Sequence, residues 1–175
     1  GSIVNIIGNT SVGKTFFSDV LVHHFIFNSP LKPTILSIER TAAELTLDLY
    51  SYHLGQNLTW FEDGADALEY LHRDDVKDLC NNMLVDEFGE PRFWIIDDRE
   101  GTIDVLKKQI ERAIKQNGSK LIILDVLTDV IRSLPLDEQE SFLQYEKQMK
   151  KEGIVFVNIL HTRKPSNEKG EQGFK

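Results

Sequence analysis

Apolar residues fall along this chain in short β-branched runs, separated by longer stretches where they recur at three- and four-residue spacing. The first pattern is that of strands and the second that of amphipathic helices. Strands are predicted at residues 3–7 (IVNII), 34–38 (TILSI), 92–96 (RFWII), 121–124 (LIIL) and 154–160 (IVFVNIL). Their near-continuous apolar character suits strands buried on both faces. Helices are predicted at 14–27, 42–54, 65–87 with a candidate break near Arg73, 102–116 and 138–151. Gly, Pro and Asn mark turns at 87–91 (EFGEP) and 116–119 (QNGS). This alternation predicts an α/β fold, a mainly parallel sheet with helices on both faces in three layers. No internal repeat is visible, and the polar, mildly basic stretch 162–175 is expected to be a mobile loop.

The 175 residues suit a single domain with a sizeable core, spanning 1–175. No apolar run approaches the ~20 residues of a membrane span, which points away from a membrane protein. No secretory pattern precedes the first strand, and the lone Cys80 has no disulfide partner, so a reducing, cytoplasmic setting is expected. Cys80 reads as a small buried residue in a helical stretch. The net charge of −8 argues against a general electrostatic grip on nucleic acid, leaving room for local contact through a basic loop. Gly1-Ser2 looks like a cloning remnant, which predicts an excised piece of a longer protein.

Between the first strand and first helix lies Gly8-Asn9-Thr10-Ser11-Val12-Gly13-Lys14-Thr15. It fits G-x-x-x-x-G-K-[ST] at every fixed position. Gly8 and Gly13 let the backbone turn its N–H groups inward around phosphates, and the helix beginning at Lys14 adds its positive end. Lys14 is placed to reach the β and γ phosphates, and the Thr15 hydroxyl to ligate Mg²⁺. A solvated Gly-rich turn is the bland alternative. The strand–loop–helix context favours a nucleoside triphosphate site, for ATP or another NTP.

Three strand ends carry candidate chemistry. Asp125 closes an apolar strand at the edge where ligands of open α/β sheets gather, and there it would hold Mg²⁺ through a water. Asp97 ends another strand and reads better as a helix cap. Glu39, after the second strand, either polarises an attacking water or merely pairs with Arg40 or caps the following helix. His161 closes the fifth strand, where a neutral imidazole donates to the γ-phosphate or simply faces solvent. His23, His24, His53 and His72 lack metal-like spacing and receive no role.

Taken in order, these segments resemble the RecA-like ATPase core, most closely hexameric replicative helicases of the DnaB and phage primase–helicase kind. The resemblance covers nearly the whole chain: IIGNTSVGKTFF for the P-loop, TILSIERTAAELTLDL for the strand ending in a catalytic glutamate, KLIILDVLTDVI for the Walker B segment, and GIVFVNILHTRKP for the strand ending in a γ-phosphate sensor. It implies Glu39, Lys14 and His161 as catalytic residues, residues 8–15 as the nucleotide cradle, and Thr15 and Asp125 as Mg²⁺ ligands. It also implies a strand order of 3-2-4-5-1, with the His161 strand between the P-loop and Walker B strands. The Ile3–Ile7 run would then lie on an open edge, which invites pairing or aggregation.

The resemblance further implies a homo-oligomer, a hexameric ring in the full-length protein, moving on single-stranded DNA, with primase as a candidate partner. Arg163, Lys164 and Lys169 are the candidates for DNA phosphate contact, Lys169 being equally readable as a solvated loop residue. Two segments depart from the usual wording: SIER after the second strand and VLTDVIRSLP after Asp125. The arginine finger of such motors is expected outside this chain. It is worth roughly 10³–10⁵ in rate, so slow hydrolysis is expected of this piece alone. A RecA-type recombinase or other DNA-dependent ATPase and a regulatory nucleotide-binding P-loop module are the alternatives. A small-molecule kinase is disfavoured for want of an Arg-rich lid.

Overall fold

A computed structural model describes residues 1–8, 13–97, 102–132 and 134–161. The predicted strands form one five-stranded sheet: β1 (Ile3–Gly8), β2 (Pro33–Ser37), β3 (Trp94–Ile96), β4 (Leu121–Asp125) and β5 (Val155–His161). Every neighbouring pair is parallel, and the order across the sheet is β1-β5-β4-β2-β3. Read from the other edge this is 3-2-4-5-1, the order implied by the resemblance. Parallel neighbours need long crossovers, and helices supply them here: α1 (Lys14–Asn28), α2 (Ala42–Leu54), α3 (Gly64–His72), α4 (Asp74–Leu84), α5 (Ile103–Asn117), α6 (Leu127–Arg132) and α7 (Leu136–Lys151).

The middle of the sheet explains the apolar runs. All five residues of β4 are buried, and successive side chains point to opposite faces. Leu121 and Ile123 join the cluster formed with Val22 and Ile26 of α1, Leu45 and Leu49 of α2, and Met83 of α4. Ile122 and Leu124 join Ile110 and Ala113 of α5 and Phe142 of α7 on the other side. Two cores back to back leave no face of β4 for polar residues until Asp125, where the strand ends.

Three predicted boundaries differ from the structure. The 65–87 helix is two helices, because Arg73 is extended (φ −64°, ψ 137°) and serves both as the C-cap of α3 and as the N-cap of α4. Asp74 and Asp75 then stand at the positive start of α4, and Arg73 pairs with Asp75 at 2.6 Å. Strand β3 begins at Trp94, not residue 92, because the Arg92 amide is turned back to Leu84 O at 2.9 Å. Helix α6 was not expected; six residues are too few to display a helical period. Cys80 is buried, as expected. No described helix is long and apolar enough to cross a membrane.

Candidate nucleotide site

Helix α1 begins differently from the other long helices. Its N-cap is Gly13, at φ 81° and ψ 16°, with no side-chain cap and no acid in the first turn. That left-handed backbone is one that glycine adopts without strain. Helices α2, α3 and α5 are capped by Thr41, Asp63 and Thr102, and α4 and α7 carry Asp or Glu in their first turns. The start of α1 therefore offers main-chain donors and a positive dipole end with no protein anion supplied by its own cap or first turn, which suits an external anion. The sequence-assigned Asn9, Thr10, Ser11 and Val12 and the side chain of Lys14 lie outside the described residues, as do Arg163, Lys164 and Lys169.

The strands end together beside this helix start. In the register, Gly8 is opposite His161 and Ser37 is opposite Asp125. The sheet thus brings the first P-loop glycine, the His161 backbone and Asp125 to its carboxyl edge, and Glu39 lies two residues beyond Ser37 at the same edge.

Arg40, which sequence reasoning considered only as a partner for Glu39, occupies the centre of this edge. Its Nη2 donates to Asp125 Oδ2 at 2.8 Å and to Asp19 Oδ1 at 2.8 Å, while its Nη1 donates to Asp48 Oδ2 at 2.9 Å and to Asp19 Oδ2 at 3.0 Å. One guanidinium thereby binds α1, α2 and the end of β4. The cluster is nearly dry, with side-chain exposures of 14% for Arg40, 8% for Asp19 and 9% for Asp125. Burial pulls the Arg40 pKa down, but the bonds and charges of Asp19 and Asp125 outweigh it and raise it above the usual arginine range. Asp19 is pushed up to about 6, chiefly by burial, with Arg40 pulling it down and the charges of Asp48 and Asp125 pushing it up. No local motif announces this cluster, because Arg40 and Asp125 are 85 residues apart.

Glu39 is turned away from Arg40. Its Oε1 meets His161 Nε2 at 3.1 Å, so a neutral His161 donates to the carboxylate. The His161 ring is mostly buried and its Nδ1 has no hydrogen-bond partner among the described residues. The backbone of His161 is fixed by α6: its amide donates to Thr128 Oγ1 at 2.8 Å, and its carbonyl accepts from Arg132 Nη2 at 2.7 Å. Thr128 and Arg132 thus give a positioning role to the segment whose wording departs from the helicase pattern. Both alternatives for Glu39 fail here, since Arg40 pairs elsewhere and the following helix is capped by Thr41 and Glu44 in a capping box. Asp97 accepts from the Ala42 amide at 2.9 Å, the helix-capping role expected of it, applied to α2.

The residues also fit a magnesium ion bound with a nucleotide. Asp125 spends one carboxylate oxygen on Arg40, and its other oxygen has no partner among the described residues. The Thr15 residue is exposed at the start of α1. Among the described residues no group of three or more His, Cys, Asp or Glu is arranged to hold a metal. An all-oxygen set of few protein ligands is the usual Mg²⁺ arrangement, in which phosphate oxygens and water complete the octahedron.

No protein-family profile and no curated protein matches the chain. Solved structures do. The ATPase domain of a DnaB-like helicase superposes with a TM-score of 0.65 at 15% identity, covering 93% of this chain and 57% of that one. A KaiC-like protein, PH0186 from the hyperthermophilic archaeon Pyrococcus horikoshii OT3, superposes with a TM-score of 0.58 at 15% identity, covering 92% of this chain and 61% of that one. The chain spans about three fifths of the length of these structures. At this identity the likeness concerns the fold, which is that of a RecA-like P-loop ATPase core.

Proposed function

We propose that this chain is the motor core of a ring-forming, ATP-dependent DNA helicase. The observation that carries the reading is the convergence, at one sheet edge, of an uncapped helix start behind a G-x-x-x-x-G-K-T loop, the strand-end carboxylate Asp125, and the Glu39–His161 pair. The triphosphate of ATP or another NTP would lie on the amides of residues 8–15 with Lys14 at its outer phosphates. Thr15 and Asp125 would hold Mg²⁺, which when bound neutralises charge on the phosphate oxygens.

Glu39 would then act as the base that orients the attacking water, a role its half-exposed carboxylate leaves open. His161, bonded to Glu39 at 3.1 Å, would report the state of the γ-phosphate by exchanging that bond for one to phosphate. The rigid His161 backbone would pass the change into residues 162–175, where Arg163, Lys164 and Lys169 would contact single-stranded DNA. The working form would be a homo-oligomeric, hexameric ring in the cytoplasm of a bacterial or phage-infected cell, with primase as a candidate partner. The neighbouring subunit would contribute an arginine finger.

The test is DNA-stimulated ATP turnover by the full-length protein. Glu39→Gln should abolish turnover, a loss of at least about 100-fold, while leaving nucleotide binding intact. His161→Ala should remove the stimulation by DNA. Turnover unchanged in either variant would refute the corresponding role. Filaments on DNA in electron micrographs, where rings are expected, would move the assignment to a recombinase.

A further inference from the structure

The proposed phosphate site accounts for the start of α1 but not for the cavity of about 500 Å³ that opens directly behind it. Thr15 and Phe16 of α1 line one side, Asp48 and Tyr52 of α2 the other, and Asn57 closes the end. Phe16 is 66% exposed and Tyr52 39% exposed, an unusual use of two aromatic rings beside a polar site. Phe16 meets Tyr52 edge to face, with centroids 6.1 Å apart at 74°. Tyr52 is held from behind by His23, whose ring lies 4.9 Å away at 75°. The walls are therefore set before anything binds.

We infer that this cavity receives the base and sugar of the nucleoside triphosphate, with Phe16 as the stacking platform. The inference rests on the P-loop reading above and adds where the rest of the nucleotide goes. Thr15 belongs to both sites, so a nucleotide whose phosphates lie at the start of α1 reaches the cavity without leaving the protein surface. A ring as exposed as Phe16 presents apolar face to water, and a nucleobase covers such a face. Asp48 spends only Oδ2 on Arg40, and its Oδ1 has no partner among the described residues, which leaves an acceptor for a sugar hydroxyl.

The identified wall stacks and accepts; it presents no set of donors and acceptors specific to one base edge. Every base has a π-face, so the cavity should take the four common bases with similar affinity.

Equilibrium binding by the full-length protein, in the presence of Mg²⁺, tests this with ATP, GTP, CTP, UTP and inorganic tripolyphosphate as probes. Phe16→Ala should weaken all four nucleotides by about tenfold and leave tripolyphosphate unchanged. Phe16→Trp should keep the wild-type affinities. Because Phe16 is exposed, its truncation should leave thermal unfolding unaltered, and a loss that extended equally to tripolyphosphate would overturn the inference. So would nucleotide affinities unchanged in Phe16→Ala while Lys14→Ala abolished binding of every probe, a result that would leave the P-loop reading standing. Wild-type binding of every probe by Lys14→Ala would overturn that reading and the base pocket with it.

Discussion

Asp19 shows how a single side chain registers the electrostatics of the site. Its carboxyl, at about 6 rather than 3.8, holds a proton in the folded chain at pH values where the unfolded chain has released it. Its contribution to stability is therefore complete below about pH 3.8 and is lost as pH rises through about 6. Arg40 faces this carboxyl from the loop before α2, with Asp48 of α2 and Asp125 of β4 as the other charges of the cluster. Asp19→Asn should remove this component, worth up to about 3 kcal/mol, and flatten the pH dependence of urea unfolding between about pH 4 and pH 6. An unaltered slope in the variant would show that another group titrates there. Arg40 itself was legible in the sequence only as a neighbour of Glu39. A side chain is assigned by what surrounds it, and here the three carboxylates come from three separate elements.

Among the elements, α7, β5 and β1 are joined by a polar seam inside an otherwise apolar layer. Asn158 of β5 donates to Glu146 Oε1 on α7 at 2.9 Å and to Asn5 Oδ1 on β1 at 3.1 Å. Glu146 is only 1% exposed, and burial raises its pKa against the opposing bond from Asn158. Glu146→Gln keeps an oxygen for Asn158 and removes a charge that is costly to bury. It should equal or exceed the wild type in stability near pH 8. Glu146→Ala leaves the Asn158 amide without that acceptor and should cost about 1–3 kcal/mol, read by urea unfolding at the same pH. Equal destabilisation by the two variants would mean that the seam depends on the charge. Hydrophobic periodicity located α7 and β5 because both carry long patterns, but the bond between them could not be foreseen. It depends on which strand lies beneath which helix.

For the whole molecule, the consequence of the strand order is a sheet that ends on β1. Among the described residues β1 pairs with β5 alone, and its Val4 and Ile7 are 46% and 64% exposed. An apolar edge of this kind is a template for pairing with another chain. Ile7→Lys should lower self-association of the 175-residue chain, measured by sedimentation velocity, without lowering its thermal midpoint. Unchanged association would place the contact elsewhere, for example at exposed Trp60 or Phe88.

The sequence by itself determined the fold class, the five strands and the phosphate loop. Each depends on local regularities: runs of apolar residues sized to strands, and a glycine spacing that only a tight turn before a helix requires. It also placed Glu39, Asp125 and His161 at strand ends, which is why they could be proposed together. The tertiary structure decided how they meet. Parallel register sets His161 level with Gly8, and Glu39 reaches His161 across 122 residues. Arg40 turns to the carboxylates because burial leaves it no water to bind. Pairings at that separation follow from strand order and packing, and no local spacing encodes them.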